Sequence, residues 1–560
     1  MEYTISNKKF DRGFKRGNLY FQCDSLNEAE ESVAITDGEF LTDYPHPETS
    51  KEVLFETTYL GSYNFISYNF TSDKLLIKND KLGTYSLYIY AKGEDLIISN
   101  NIWKIILLLK AEDIIISPTQ FKLMLGYWGV DMGEKTLFEG ISEINAGHNV
   151  EIDLISLKIK KQQYFSLQQE PELILNEAID KLDKDLDFTF SRINQHNTDK
   201  ILGFGNSGGL DSRLVPIYAS QHGIKSIAIT AVNQKPKKLL DSITKLNALK
   251  ISKLYGIPNY FLSHIVEHHD QRMLLDIRNN PFGPSQILKN AFCEMPDIDY
   301  YVTGGNGFIV GGAWTKFISI KSDKEFKDKF LGYHAKLNAY LWGNGNQKTI
   351  DMIFNESDIK EIKEQKLKFY EENRHKDNLS IIRSFHQYSM NKRSPAGGFE
   401  SMNRLYKTYN IYYPIVFENS LKWKAEFFPG RSVLKNLIKK KSPLLYNIPS
   451  QNYDRLDGKS LSIKEKIVRR LANKYRNIGL DYETWVQHRE FRNYANSLLA
   501  RENDLFYHLL GLSKEEFIRL DVISNLRPHV SLDFLKLKKI LDVIVYKEFE
   551  FVENKKFEIK

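Results

Sequence analysis

Cysteine is scarce in this sequence: Cys23 and Cys293 are its only two thiols, too few for a disulfide framework or a cysteine-built zinc site, so both are expected to be reduced. Long apolar runs are missing as well. The densest, Ile105 to Leu109, is closed on both sides by Lys104 and Lys110, far short of the ~18 residues that a spanning helix needs. No membrane segment is expected. The start, MEYTISNKKFDRGFKRG, carries charge without an apolar core or a small-residue cleavage site, so no secretory signal is expected and cytoplasmic residence is the default. Neither sign of charge dominates. With 78 Lys plus Arg against 71 Asp plus Glu, the net charge is +7, well below the electrostatic footprint of a nucleic-acid binder. Internal repeats and low-complexity tracts are absent too.

What is present is the composition of a globular protein, 42% hydrophobic and 27% charged, on a chain long enough for about three or four folding units. From Val53 to Asp153 the text is a series of short β-rich runs broken by turns: YNFISYNF, DKLLIKND, YSLYIYAKG, EDLIISNN and NAGHNVEID. These predict a layered, largely antiparallel α/β lobe. Leu175, Ala178, Ile179, Leu182 and Leu186 recur at helical spacing and open the next unit. Downstream, β runs alternate with helical segments: ILGFG, a helix from about Ser212, SIAITAV, a helix through Leu240 to Tyr255, NYFLSH and YYVTGG. Such alternation predicts a doubly wound parallel sheet with helices on both faces. The stretch from about 325 to 450 and the residues after about 455 read as mainly helical. The expected division is therefore a lobe over 1–168, a parallel-sheet domain over 169–455 and a helical extension over 456–560.

The stretch that carries chemistry is KILGFGNSGGLDSRL, residues 200 to 214, an apolar strand running through Ser207, Gly208, Gly209, Leu210, Asp211 and Ser212 into a helix. Glycines there let backbone amides approach an anion closely, and the helix points its positive end at the same place. Ser207 and Ser212 can add hydroxyl donors. Asp211 would repel bare phosphate, so its presence calls for Mg²⁺ between carboxylate and phosphate oxygens. The plainer alternative is a glycine turn with a helix cap.

The hexapeptide SGGLDS resembles the PP-loop of ATP pyrophosphatases, and in particular that of the asparagine synthetase superfamily. The front lobe carries a collinear resemblance to the same family: Asp80, Gly83, Leu87, Tyr88 and Tyr90 in NDKLGTYSLYIY, then EDLIISNNIWKIILLL, then Thr136, Gly140, Ile141, Gly147 and His148 in KTLFEGISEINAGHNVEI. IYYPIVFENSLKWKAEFFPGRSVLKNLI, 411 to 438, is similar to the helical section that ends the family's synthetase domain. The resemblance implies an N-terminal-nucleophile-like layered α/β lobe followed by a PP-loop synthetase domain with a mainly helical C-terminal part. It implies binding of ATP by Ser207, Gly208, Gly209, Asp211, Ser212, Thr230, Gly304 and Gly305, with Asp211 as the Mg²⁺ ligand.

The family pattern is broken at three places. Where glutamine-using members place a Cys after the initiator Met, this chain has Glu2, so hydrolysis of glutamine is not expected. Exposing Cys23 by a cut after Gln22 leaves a shorter stretch before Asp37 and Gly38, the counterpart of the family's Asn-Gly oxyanion element, than the family uses. In the segment after YYVTGG, the second acidic metal site of the family is replaced by Phe308 and Ile309. Asp299 enters the same strand from its other end. Finally, Ser450 and Gln451 stand where the family has a catalytic Lys, leaving Lys439, Lys440 and Lys441 as the basic candidates; a solvated helix face is the plainer reading of that cluster.

The expected function is an ATP-dependent ligase that adenylates a carboxylate, releases pyrophosphate and lets an amine form an amide without glutamine hydrolysis. β-Lactam synthetases and lasso peptide cyclases are precedents within the resemblance. The substrate is then a small-molecule or peptide carboxylate, and a cyclase of the lasso type would work with a precursor peptide and a peptidase partner. The alternative is a nucleotide-binding regulatory or scaffold subunit of impaired turnover, which Phe308 and the missing Lys favour. Chemistry on RNA is disfavoured by the modest charge and by the lack of a cysteine pair near the loop. His264, His268 and His269, with Glu267 and Asp270, read as surface polar residues rather than as a metal cluster, and the 31 Tyr and 34 Phe as core packing rather than base stacking.

Overall fold

The computed structural model describes residues 3–7, 14–17, 19–23, 26–29, 31–40, 45, 48–57, 59–126, 134–232, 239–263, 269–279, 296–304, 317–320, 322–331, 356–385, 406–413, 415–448, 489–519 and 528–549. The expected fold class, α/β, is present: a layered lobe of two sheets with helices, a doubly wound parallel sheet and a mainly helical C-terminal part.

Among the described residues, two six-stranded sheets build the lobe. One contains β1 (Tyr3–Ser6), β2 (Phe14–Arg16), β3 (Leu19–Cys23), β8 (Tyr88–Lys92), β9 (Asp95–Ser99) and β10 (Ile141–Glu143) in the order β10-β8-β9-β1-β3-β2. The other contains β4 (Asn27–Glu28), β5 (Ser32–Phe40), β6 (Gly61–Asn69), β7 (Lys74–Asn79), β11 (His148–Asp153) and β12 (Lys158–Gln163) in the order β12-β11-β7-β6-β5-β4. Ile35, Ile66, Leu75, Ile89, Ile98, Val150 and Ile152 fill the space between them. Because side chains alternate across a strand, each sheet also has an outer apolar face that must be covered. Leu54 of α1 (Lys51–Glu56) covers Tyr63 and Phe65 on one side. Trp103 and Ile106 of α2 (Ile102–Leu108) and Phe121 of α3 (Pro118–Gly126) cover Tyr88, Tyr90 and Ile97 on the other. Local capping fixes these entries: Ser50 Oγ accepts from Val53 N–H at 3.3 Å, and the Asn101 side chain from Trp103 N–H at 3.1 Å.

The strands β1 to β5 precede Val53, where the sequence pattern begins to read as β-rich, and lie within the lobe expected over 1–168. Asp80 anchors the turn after β7. Its carboxylate accepts from Tyr63 N–H (3.2 Å), Leu82 N–H (2.8 Å), Thr84 N–H (3.0 Å) and the Thr84 hydroxyl (3.1 Å). Gly83 turns there with φ +59°, and a Cβ on it would meet Ala146 Cβ at 3.0 Å.

The parallel sheet is formed by β13 (Leu202–Gly205), β14 (Ser226–Val232), β15 (Asn259–Ser263), β16 (Tyr300–Thr303) and β17 (Lys407–Asn410), in the order β15-β14-β13-β16-β17. Its fifth strand, KTYN, falls within the stretch that reads as mainly helical, and pairs in parallel with β16 from Tyr300↔Lys407 to Thr303↔Asn410. Helix α4 (Leu175–His196) leads into the sheet, burying Ala178, Leu182, Leu186, Phe190 and Ile193. α5 (Leu214–Gln221) and α6 (Leu239–Leu254) follow β13 and β14, and α7 (His269–Asn279) follows β15.

Further helices are α8 (Glu356–Asn373), α9 (Asn378–Phe385), α10 (Ile415–Ser420), α11 (Ser432–Lys441) and α12 (Pro443–Tyr446), then α13 (Arg489–Ala500), α14 (Asp504–Leu510), α15 (Lys514–Arg519) and α16 (Pro528–Val545). One hydrophobic core runs from Trp103 and Phe121 of the lobe through Leu202 and Val302 of the parallel sheet to Phe506, Phe534 and Leu541 near the end of the chain. The last helices are thus packed into the body of the molecule. Buried ion pairs join Lys536 of α16 to Asp276 of α7 at 3.3 Å, and Lys538 to Asp542 at 2.6 Å.

The lobe is tied to the parallel-sheet part by polar contacts. Lys81 pairs with Glu418 at 2.8 Å and Lys122 with Asp358 at 2.7 Å, and Trp103 Nε1 donates to Ile277 O at 2.9 Å. Just past the lobe, within the parallel-sheet part, Gln169 accepts from buried Arg383 at 2.6 Å and donates to Trp423 O at 2.7 Å. Arg383 sits between the rings of Phe417 and Phe428, 5.3 and 5.1 Å from their centroids, and burial lowers its guanidinium to about 9. No helix among the described residues is long and apolar enough to cross a membrane.

Candidate active site

The order β15-β14-β13-β16-β17 reverses direction of growth between β13 and β16. In an open parallel sheet the connections that leave the carboxyl ends of two such strands run to opposite sides and open a crevice, which is where ligands collect. The segment Asn206 to Ser212 leaves the end of β13, and Gly304 leaves the end of β16. They touch: a Cβ on Gly304 would lie 2.7 Å from Asp211 O and 3.2 Å from Ser212 Cα. A glycine at 304 is what lets the loop close over the neighbouring strand.

The loop is pinned from below. The Asn206 side-chain amide donates to Ala248 O (3.0 Å), Ser252 Oγ (3.2 Å) and Asn259 Oδ1 (3.2 Å). Thr230 is buried and donates to Asn206 O at 2.9 Å. In this structure, therefore, Thr230 supports the strand end beneath the loop. Gly208 turns with φ +70°, a conformation that a Cβ penalises. Above it the chain is more open. Ser207 is exposed, its Oγ lying 3.2 Å from Ser212 Oγ and accepting from Gly209 N–H at 3.2 Å. Ser212 Oγ also donates to Gly209 O at 3.3 Å. The helix expected from about Ser212 begins as a 3₁₀ turn, Asp211–Arg213, before α5 takes over at Leu214.

Asp211 projects from that first turn. Its two carboxylate oxygens lie 2.8 and 2.7 Å from Arg431 Nη1, and Tyr412 donates to its backbone carbonyl at 3.3 Å. Burial pushes the Asp211 carboxyl up while the Arg431 charge opposes the rise, and burial with Asp211 nearby holds the Tyr412 phenol well above its ordinary value. Arg431 reaches the loop because Gly430 (φ 71°) and Arg431 itself (φ 55°) both turn left-handed between Pro429 and α11. Arg213, directly after the loop, is fully buried and binds the carbonyls of Gly208, Leu445 and Ile448.

Sequence reasoning found neither arginine. Pro429-Gly430-Arg431 signals a turn before a helix, but nothing local says which side chain 220 positions away the guanidinium meets.

The structure therefore gathers Ser207, Gly208, Gly209, Asp211, Ser212 and Gly304, with Thr230 beneath them. Gly305, Phe308, Ile309, Ser450 and Gln451 lie outside the described residues, as do His264 and His268. Asp299 accepts from Ile201 N–H at 2.7 Å, where β13 and β16 begin, opposite the loop. Of the three lysines, Lys440 lies 2.8 Å from Asp180, and Lys441 lies 2.7 Å from Asp183 and 5.3 Å above the Tyr218 ring. Lys439 is 5.9 Å over the Tyr446 ring. Two of the three are thus neutralised by α4. Asp37 and Gly38 lie within the long strand β5, paired with Asn64 and Tyr63, and Asp37 accepts from Asn100 at 2.9 Å. Cys23 is partly buried at the end of β3, opposite Tyr3.

Mg²⁺ takes oxygen ligands and usually keeps several waters, held by one or two carboxylates and the substrate's phosphates. Asp211 with the Ser207 and Ser212 hydroxyls fits that donor chemistry, and no group of three His, Cys, Asp or Glu gathers among the described residues. The set suits a cation that arrives with phosphates rather than a standing all-protein cage.

No family model matches the chain, and no curated protein matches it. Among solved structures, nicotinamide mononucleotide (NMN) synthetase from Francisella tularensis aligns with 40% of this chain and 97% of that one, at 16% identity and TM-score 0.20. The U34-tRNA thiolase NcsA from Methanococcus maripaludis, with its 4Fe–4S cluster, aligns over 38% and 79%, at 14% identity and TM-score 0.19. Glutamine phosphoribosylpyrophosphate amidotransferase from B. subtilis, complexed with ADP and GMP, aligns over 54% and 68%, at 10% identity and TM-score 0.18.

Proposed function

We propose that the chain is an ATP-dependent ligase of asparagine synthetase type, which activates a carboxylate as its acyl adenylate and joins it to an amine. The observation that supports this most is the position of the SGGLDS loop, at the carboxyl end of β13 beside the point where the sheet order reverses.

Each residue then has a task. The amides around Gly208 and Gly209 and the hydroxyls of Ser207 and Ser212 bind phosphate oxygens at the start of the 3₁₀ turn. A carboxylate oxygen of the substrate attacks the α-phosphorus, the bond to the bridging oxygen breaks, and pyrophosphate leaves. The amine nitrogen then attacks the acyl carbon, AMP departs with the electron pair, and the nitrogen loses its proton. Asp211 would hold Mg²⁺ there, which would supply neutralisation of charge on the phosphates. Arg431 brings a positive charge to the same end of the loop, and its bond to Asp211 must loosen as phosphates arrive. The amine comes with a substrate, since this reading uses no nucleophile from the lobe.

Pyrophosphate exchange into ATP, screened over small-molecule and peptide carboxylates, tests this reading. Exchange that depends on one carboxylate class and disappears in Asp211→Ala is the expected result. Absence of exchange and of nucleotide binding refutes it. The second reading, a nucleotide-binding regulatory or scaffold subunit, draws support from the Arg431 guanidinium that already neutralises Asp211. Under that reading nucleotide binds but no carboxylate promotes exchange.

A further inference from the structure

Arg213 is as buried as any side chain in the molecule, 0% exposed. Nη1 donates to Leu445 O at 2.9 Å and Ile448 O at 2.7 Å, and Nη2 donates to Gly208 O at 3.0 Å. Burying a cation on neutral acceptors is costly, and burial lowers this guanidinium to about 10, which still leaves it charged at neutral pH. Ordinary packing would be served by an apolar side chain at this position in α5's approach. The orientation of one peptide group gives the arginine another role.

A trans peptide points its C=O and its N–H in opposite directions. Because Arg213 holds the Gly208 carbonyl towards the interior, the N–H of the same peptide, on Gly209, faces outward. That amide donates to Ser207 Oγ at 3.2 Å, and Ser207 is exposed. The long bond is one an arriving anion can take over. Free rotation of this peptide is otherwise easy, since glycine stands on both sides of it. The guanidinium fork supplies the order that the two glycines lack, and at the same time fastens the loop to the chain that leaves α12.

We propose that Arg213 is the positioning residue of the phosphate loop, holding the Gly208–Gly209 peptide so that its amide meets a phosphate oxygen. The proposal rests on the reading of the loop as a nucleotide site, and its test separates the two. Dissociation constants of the full chain for α,β-methylene-ATP with Mg²⁺ and for AMP are measured alongside thermal unfolding, in wild type, Arg213→Lys and Arg213→Met. Lysine keeps the charge but cannot reach both sets of carbonyls from one nitrogen. In Arg213→Lys the preference for the triphosphate over AMP falls about tenfold, and the carbonyls left without a donor lower the unfolding temperature by a few degrees while the protein still folds. Arg213→Met loses the preference further; if it does not fold, the lysine variant decides alone. A wild-type preference left intact in a folded Arg213→Lys overturns the proposal and leaves the nucleotide site standing. Wild type that binds neither ligand overturns both.

Discussion

Arg431 Nη1 lies 2.7 to 2.8 Å from both carboxylate oxygens of Asp211, across 220 positions of sequence. One nitrogen thus occupies the face of the carboxylate that a cation would use. On the proposed reading the guanidinium and Mg²⁺ would compete for Asp211, and the ion pair makes the loop acid's charge tolerable while no nucleotide is bound. Both side chains remain about a quarter exposed, so the pair contributes on the order of 1 kcal/mol to stability rather than the larger figures of deeply buried pairs.

The first prediction follows from that competition. Arg431→Met should raise the affinity of the nucleotide-free protein for Mg²⁺, by roughly threefold or more, and lower its stability by about 1 kcal/mol. Calorimetric titration with MgCl₂ reads the first and urea unfolding the second. An unchanged Mg²⁺ affinity contradicts the competition between Arg431 and the cation.

The second concerns how closely the loop and strand approach. A Cβ at Gly304 would stand 2.7 Å from Asp211 O, and backbone cannot yield as a flexible side chain can. Gly304→Ala should displace the loop, costing about 1–3 kcal/mol and weakening nucleotide binding about tenfold or more. At Gly208 a Cβ would have 3.5 Å to Asn247 Cβ but φ is +70°, so Gly208→Ala meets conformational cost of about 1–2 kcal/mol and little collision. Unfolding temperatures and nucleotide affinities of the two variants test the distinction. Equal, wild-type affinities contradict the loop geometry.

A third prediction uses pH. Burial raises the Asp80 carboxyl from its ordinary 3.8 to about 6, the four hydrogen bonds it accepts opposing the rise. The folded state then binds more protons than the unfolded state between about pH 4 and 6. By linkage, stability falls as pH rises through that window and levels off above it. Urea unfolding at pH 5 and pH 7 should show this contribution in wild type and a smaller difference in Asp80→Asn. That variant is also less stable at both pH values by about 1–3 kcal/mol, because an amide nitrogen would face the Leu82, Thr84 or Tyr63 donors. An undiminished pH difference in Asp80→Asn contradicts the assignment.

How far the sequence discloses this molecule varies with the range of the interaction. The strands of β6 to β9 are legible because runs such as ISYNF and DLIIS are apolar and bounded by turn residues, and β13 and β14 because each is an apolar run set between helical segments. KTYN is not legible: four residues, mostly polar, become a strand because β16 offers them an open edge. Strands β1 to β5 are obscured in the same way by charge and glycine, as in SVAITDGEF. At the site, SGGLDS shows its own anion chemistry, and Gly304 follows a strand where a loop must pass. Arg213 and Arg431 gain their meaning from Leu445, Ile448 and Asp211, more than 200 positions away. No local pattern encodes such partners. The basic run Lys439 to Lys441 is conspicuous in sequence, yet the acids that engage two of its members, Asp180 and Asp183, are equally remote.

The most direct test is calorimetric titration of the full chain with α,β-methylene-ATP, with and without Mg²⁺, in wild type and Asp211→Ala. Binding that requires Mg²⁺ and disappears in the variant is the predicted result. Binding of equal strength in both proteins, or none at millimolar nucleotide, contradicts the assignment of this loop as an ATP site.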